Sequence, residues 1–438
     1  MNIELLICII LFGSMVLFLL LGHPLVFVMG GVAVLATYLF WNPSALYMFP
    51  IKTFKSGTDF MLLAIPMFIF MGSILLKTGI TDELYNMMYH WLGGIQGGLA
   101  VGTVIICTVW AAIVGVSGAA TVSMGIIALP SMLKRGYNEE LALGTVAAGG
   151  ALGVLIPPSV LMIALGAFTG TSIGMLLIGG ILPGLLLSFL FIVYILVRCK
   201  LNPKLGPTIE TKEKLSLKDK FVLTKSLIFP VAIIVTVMGS ILAGIATPSE
   251  ASGVGVLMSI LCAFFYRRLT WGNFKNACEE TLKYSCMVMW IIFAASSFAS
   301  VFAALGATQM IQKIMIVLPG GRWGIMIAMQ FVYFIMGMFL DPIGIIMLTA
   351  PIFFPLAIQL GFNPVWVGVI YVMNMQMGFL TPPFGYNLFY LKAVAPRNIT
   401  MSQIYRSIVP FVILQATGLV VCMLWPKIIL WLPSLMIK

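Results

Sequence analysis

Between Arg322 and Lys392 the chain carries one charged side chain, Asp341, in the run FLDPIG. An ionised carboxylate in so apolar a stretch is costly unless it faces a cavity, a cation or a cationic partner. No Lys or Arg stands nearby to pair with it, so a bound cation or a titrating proton is the chemistry it could serve, with a capping role ahead of Pro342 as the alternative. The run GVSGAAT at 115–121 offers the hydroxyls of Ser117 and Thr121 among small residues. At a re-entrant tip, free carbonyls and hydroxyls can meet a hard cation and the amides of the next helix an anion. Close packing of helices through small residues is the other reading. GVLIPPS at 153–159 and TPPFGYNLF at 381–389 add Ser159, Thr381 and Asn387 beside paired prolines. Each proline lacks an amide donor and fixes its φ, so each pair interrupts a helix. The break leaves carbonyls at the end of one half-helix and amides at the start of the next, which suits cations and carboxylates; a kink that holds nothing is the alternative.

These residues require a membrane around them. Of 438 residues 61% are hydrophobic and 8% charged, against about 25% charged in a soluble domain. Uncharged runs long enough to cross about 30 Å of hydrocarbon predict about ten spans. The first run, 5–21, has no basic segment before it and no small-residue cleavage site after it, so it reads as a span and not a signal peptide. The net charge of +11 comes mostly from short segments between apolar runs, which points to membrane orientation and away from nucleic acid. The seven cysteines form no CxxC pair and read as small core residues, and the 30 methionines as filling volume. His23 and His90 have no metal-ligating companions at useful spacing, and Glu250 in TPSE reads as the acid of a capping box on Thr247.

The sequence also repeats. A basic linker at 198–225, with eight Lys and Arg residues, divides the chain into a first unit, 1–197, and a second, 226–438. GGIQGG, GVSGAA, LP, GYN and IPPS follow one another in the first unit; GGRWG, FLDPIG, FP, GFN and TPPF follow in the second. Pro130 precedes Pro157 by 27 residues, and Pro355 precedes Pro382 by 27. Each unit therefore predicts a re-entrant hairpin, at 97–134 and 322–358, and a broken span, at 140–175 and 364–395. Plain spans are predicted at 5–21, 24–41, 60–77, 176–197, 227–246, 250–266, 284–305 and 405–430. With the N-terminus outside, this scheme places about 18 of the 24 Lys and Arg residues on the cytoplasmic side. It also makes the two units inverted copies. The amphipathic runs 81–92, with Thr81 as its expected N-cap, and 307–318 suit helices along the interface, as mechanical arms or as simple anchors.

The runs GVSGAATVSMGIIALPSMLKRGY, GVLIPPSVLMIALG, GILPGLL, ATPSEASGVGV and GFLTPPFGYNLF resemble, in order and over nearly the whole chain, the large membrane subunit of tripartite ATP-independent periplasmic (TRAP) transporters of the ion-transporter superfamily. The resemblance implies an all-α polytopic membrane protein of inverted repeats, with a scaffold and an elevator transport domain, in the bacterial cytoplasmic (inner) membrane. It implies sodium-coupled uptake of an organic acid, such as a C4-dicarboxylate or a sugar acid, with sodium as the coupling ion and no other cofactor. A periplasmic substrate-binding protein and a small four-helix membrane subunit, expected as a separate polypeptide, are the implied partners. One sodium site would involve Ser117, Gly118, Ala120, Gly153 and Ile156, and the other Asp341, Gly378 and Thr381. Substrate would meet Ser117, Thr121, Ser159, Thr381 and Asn387. Many relatives read Ser-Gly-Ser where this chain has Ser117-Gly118-Ala119, so the first site would lean on carbonyls or Thr121. A proton-translocating subunit of a respiratory complex is the competing class, but it needs a series of mid-membrane titratable groups where only Asp341 qualifies. No HExxH or GxxxxGK[ST] motif supports a metalloenzyme or an ATPase.

Overall fold

The computed structural model describes residues 3–208 and 217–436. The middle of the basic linker, with Glu210 and Glu213, lies outside the described residues. Every regular element among the described residues is a helix. Many helices begin where a short polar side chain satisfies a first-turn amide, as required in a medium that supplies no water to do so. Asn138 accepts from Leu141 N at 3.0 Å and Asn363 from Val365 N at 2.9 Å. Thr247 with Glu250, and Thr400 with Gln403, close reciprocal capping boxes.

The first half runs through Ile3–Leu20, Leu25–Phe40, a pair of helical segments, Pro43–Gly57 and Phe60–Leu76, bent by 55°, and the amphipathic Ile80–Leu92. A hairpin follows, Gly98–Val114 and Ser117–Lys134, then the half-helices Glu139–Ala151 and Val160–Thr169, then Ile173–Leu201. In the second half Ile228–Leu242, Pro248–Phe265 and the 34-residue Trp271–Ala304 precede the short Ala307–Ile316. Then come a hairpin, Gly321–Phe339 and Pro342–Gln359, the half-helices Pro364–Gly378 and Tyr386–Val394, and Met401–Leu424 with Lys427–Ser434.

The half-helices that lead into the breaks occupy the centre. Every residue from Leu141 to Ala151 and from Val365 to Gly378 is buried. A helix that is apolar all round must be covered on every side, and these two are.

Several expectations need correction. Helix Ile80–Leu92 starts one residue before Thr81, because Gly79 at φ 75° turns the chain directly out of the preceding helix and takes the cap position; Thr81 is buried in the first turn. The first broken span stops at Thr169, not 175, and the last span stops at Leu424 before a separate short helix. The helical segment Pro43–Gly57 falls between two predicted spans. Seven helices among the described residues are long and apolar enough to cross a membrane, or eight counting the bent pair as one, and these include both arms of the second hairpin. The half-helices and the first two apolar helices, Leu5–Leu19 and Leu25–Phe40, are too short to count, so the tally differs from ten. Five cysteines are buried, but Cys278 and Cys286 on Trp271–Ala304 are exposed.

Candidate functional site

Both breaks press onto a hairpin through glycine. A Cβ on Gly153 would lie 3.2 Å from the Cα and N of Ser117, and one on Gly378 would lie 2.8 Å from Gly337 Cα and 3.2 Å from its carbonyl oxygen. Backbone meets backbone at both points, so a side chain clashes at Gly378 and is tightly confined at Gly153. Both Pro-Pro bonds, Pro157–Pro158 and Pro382–Pro383, are cis. Past each pair an amide returns to the hairpin, Val160 N to Gly115 O at 3.4 Å and Phe384 N to Met338 O at 3.3 Å.

The helix starts around the breaks are finished in opposite ways. Ser159 donates to Val154 O at 2.5 Å and accepts from Met162 N at 3.3 Å, so one hydroxyl joins the carbonyl end of one half-helix to the amide end of the next. The first hairpin's return helix has Val116 at its N-cap and no side-chain cap. In the second half, Asp341 accepts from Ile343 N at 3.0 Å and caps the hairpin's return helix. There Tyr386–Val394 follows Gly385, at φ 49°, and has no side-chain cap.

The two uncapped starts and Asp341 open onto one cavity of about 470 Å³. Ser117, Gly118 and Ala119 line it from the first tip, Asp341 from the second, and Tyr386 and Tyr390 from the helix after the second break. Tyr390 lies across the first tip, since a Cβ on Gly118 would stand 2.8 Å from its ring. Lys77 and Glu280 complete the charged lining and pair at 2.7 Å. Sequence reading missed this pair because 203 residues separate its members; the one available signal was a Lys and a Glu each sitting at the edge of an apolar run.

The expected site residues are not all brought to the cavity. Ser117 and Gly118 line it, Asp341 lines it while capping, and Ala120 is buried directly behind the tip. Gly153 and Ile156 lie at the first break, where Ile156 N bonds Leu152 O at 2.9 Å, and Gly378 sits against Gly337. Thr121, Ser159, Thr381 and Asn387 do not line the cavity. Thr381 donates to Met377 O at 2.8 Å. Thr121 donates to Asn387 Oδ1 at 2.7 Å, and Asn387 Nδ2 donates to Ala147 O at 2.7 Å, tying the first hairpin, the first half-helix and Tyr386–Val394 together. A second buried tie joins Asn374 Nδ2 to Gln330 Oε1 and O, both at 2.8 Å, between the second hairpin and its half-helix.

The family model described as "Tripartite ATP-independent periplasmic transporter, DctM component" matches residues 12–428. The chain belongs to this family. It is 33% identical to the C4-dicarboxylate TRAP transporter large permease protein DctM of Pseudomonas aeruginosa, over 91% of this chain and 92% of that one. It is 29% identical to the ectoine TRAP transporter large permease protein TeaC of Halomonas elongata, over 97% of this chain and 99% of that one. Among solved structures the YdaH transporter of Alcanivorax borkumensis shares the fold, with a TM-score of 0.64 at 13% identity over 94% of this chain and 97% of that one. The protein is thus a multi-pass TRAP large permease subunit, a transport component and not an enzyme.

Proposed function

We propose that this subunit imports an organic acid across the bacterial cytoplasmic membrane by sodium-coupled secondary transport, together with a small four-helix membrane subunit and a periplasmic substrate-binding protein. The relatives named for C4-dicarboxylate and ectoine indicate the substrate class. The observation that carries the reading is one cavity in which a carboxylate, Asp341, faces two helix starts without side-chain caps, at Ser117 and Tyr386. A helix start without a side-chain cap attracts an anion through its positive end, even though Asn387 N is bonded to Phe379 O at 3.3 Å, and a carboxylate attracts a cation.

Charge explains the coupling. With one Lys and two acids in its lining, the empty cavity has a net charge of −1 and opposes an anion. A sodium ion at Asp341, helped by the backbone near Gly378 and Thr381, neutralises it. A second ion sits between the first tip (Ser117, Gly118, Ala120) and the first break (Gly153, Ile156), where the two backbones touch. The substrate carboxylate then meets Ser117 and the two helix starts without side-chain caps, with Lys77 the one cation in the lining. Thr121, Ser159 and Asn387 serve the substrate by fixing these helix ends. The two units act as inverted copies, in which hairpins and broken helices move as an elevator against the remaining spans.

Uptake of labelled acid into proteoliposomes holding both membrane subunits, with the binding protein outside, tests the reading. Accumulation should follow an inward sodium gradient and stop when choline replaces sodium. Equal uptake without sodium would reject the coupling.

A further inference from the structure

A second cavity, of about 410 Å³, lies away from the transport site where three elements meet. Glu83 and Asn86 reach it from the amphipathic helix Ile80–Leu92, Lys225 from the turn that opens Ile228–Leu242, and Phe265 and Tyr266 from the end of Pro248–Phe265. Its depth in the membrane can be read from its neighbours. Lys220 and Lys225 precede one apolar span, and Arg267 and Arg268 follow the other, at the same end of a packed helix pair. On one side of that level the surface is apolar and open, with Ile228 60% and Phe265 65% exposed. On the other it is charged. The cavity therefore sits on the boundary between hydrocarbon and water, the depth of a phospholipid headgroup.

Its charge narrows the occupant. Glu83 and Lys225 are the charged residues in the lining, one of each sign, and neither forms an ion pair among the described residues. The Tyr266 phenol lies against Glu83, and burial together with that carboxylate pushes its pKa up. The Ser226 hydroxyl donates to Leu223 O at 2.8 Å, and Lys225 is the one cation in the lining for an anionic ligand. The exposed apolar wall below suits acyl chains.

We propose that this cavity holds the headgroup of a zwitterionic phospholipid bearing a primary ammonium, a phosphatidylethanolamine, with its ammonium on Glu83 and its phosphate on Lys225. An ammonium offers N–H donors to a carboxylate, while the methylated choline headgroup offers none. The bound lipid would bridge Ile80–Leu92 to the two spans, about two helical turns from where Trp91 donates to Lys220 O at 3.4 Å.

Native mass spectrometry of the full chain in detergent, titrated with palmitoyl-oleoyl phosphatidylethanolamine, phosphatidylcholine or phosphatidylglycerol, tests this. The wild type should retain one ethanolamine lipid about three-fold more than either alternative, the size of effect expected at a partly exposed ion pair. Glu83→Gln should lower ethanolamine retention to the choline level, and Lys225→Gln should lower both zwitterionic lipids, with melting temperatures unchanged because both side chains are exposed. Preferential retention of phosphatidylglycerol by the wild type would overturn the proposal in favour of a plain basic belt. Wild-type retention of ethanolamine lipid by folded Glu83→Gln would overturn it equally.

Discussion

The two pairs of hairpin and break are built on one plan and finished in opposite ways. In the first, the break is capped by Ser159 and the tip is left without a side-chain cap at Val116. In the second, the tip is capped by Asp341 and the break is left without one at Gly385. A capping side chain satisfies amides that would otherwise attract an anion, so each pair leaves one helix start without such a cap, although in the second Asn387 N is bonded to Phe379 O at 3.3 Å. Both starts without caps face the same cavity, and the one acid spent on a cap also lines it. A repeated motif therefore need not repeat a function: the first pair presents a neutral tip and the second a charged one.

Substitutions can break this contrast. The largest effect is expected at Asp341. Asp341→Asn keeps a side chain able to cap, so the melting temperature should hold, while sodium-driven uptake falls by about a hundred-fold from loss of the charge in the cavity. Retained uptake with an unchanged sodium dependence would put the second tip on the same footing as the first. Next are the glycines. Gly378→Ala places a Cβ 2.8 Å from Gly337 backbone, which has no side chain to move aside, and should cost about 2–3 kcal/mol in thermal unfolding. Gly153→Ala, at 3.2 Å from Ser117, should cost about 1 kcal/mol, and a reversed order would mean that the first contact is the tighter.

The hydroxyls at the breaks should separate as well. Ser159→Ala removes a cap and leaves Val154 O without its partner in a fully buried break, an expected loss of about 1–2 kcal/mol, whereas Thr381→Ala should change stability by under about 0.5 kcal/mol. Equal losses in chemical or thermal melts would deny that the two breaks are closed differently. The smallest structural effect belongs to the pair at the cavity's edge, whose side chains are about one-third exposed at 33% and 35%. Lys77→Gln should cost less than about 1 kcal/mol of stability yet raise the KM for the acid several-fold, and Glu280→Gln should lower it by freeing the ammonium. A KM that ignores both changes would leave the pair as a strut between helices.

Much of the fold was legible because bilayer physics leaves the chain few options. Long uncharged runs must be helical there, and Thr247 with Glu250 marks a helix start by side chains that bond nearby amides. Local chemistry of that kind acts over three residues and can be read in order. Thr81 shows the limit even so: a glycine two positions earlier, turning through positive φ, moved the start of the helix. The site was legible in part. The paired prolines, the tip at Ser117 and the isolated Asp341 stood out as departures from what an apolar helix should contain. The duties of Thr121, Ser159 and Asn387 did not, because a hydroxyl or an amide in a sequence carries no mark of what it will bond. Thr121 and Asn387 meet across 266 residues, and Lys77 meets Glu280 across 203.

The sequence by itself determined that this chain is a helical membrane protein, where its helices break, and that the breaks come as a pair in register. Composition and backbone chemistry settle those points without reference to any partner. Only the tertiary structure decided which helix starts stay uncapped, which hydroxyls are already bonded, and that Ser117, Asp341, Tyr386 and the Lys77–Glu280 pair share one cavity. Those outcomes depend on contacts between segments hundreds of residues apart, and such contacts exist only once the helices have packed.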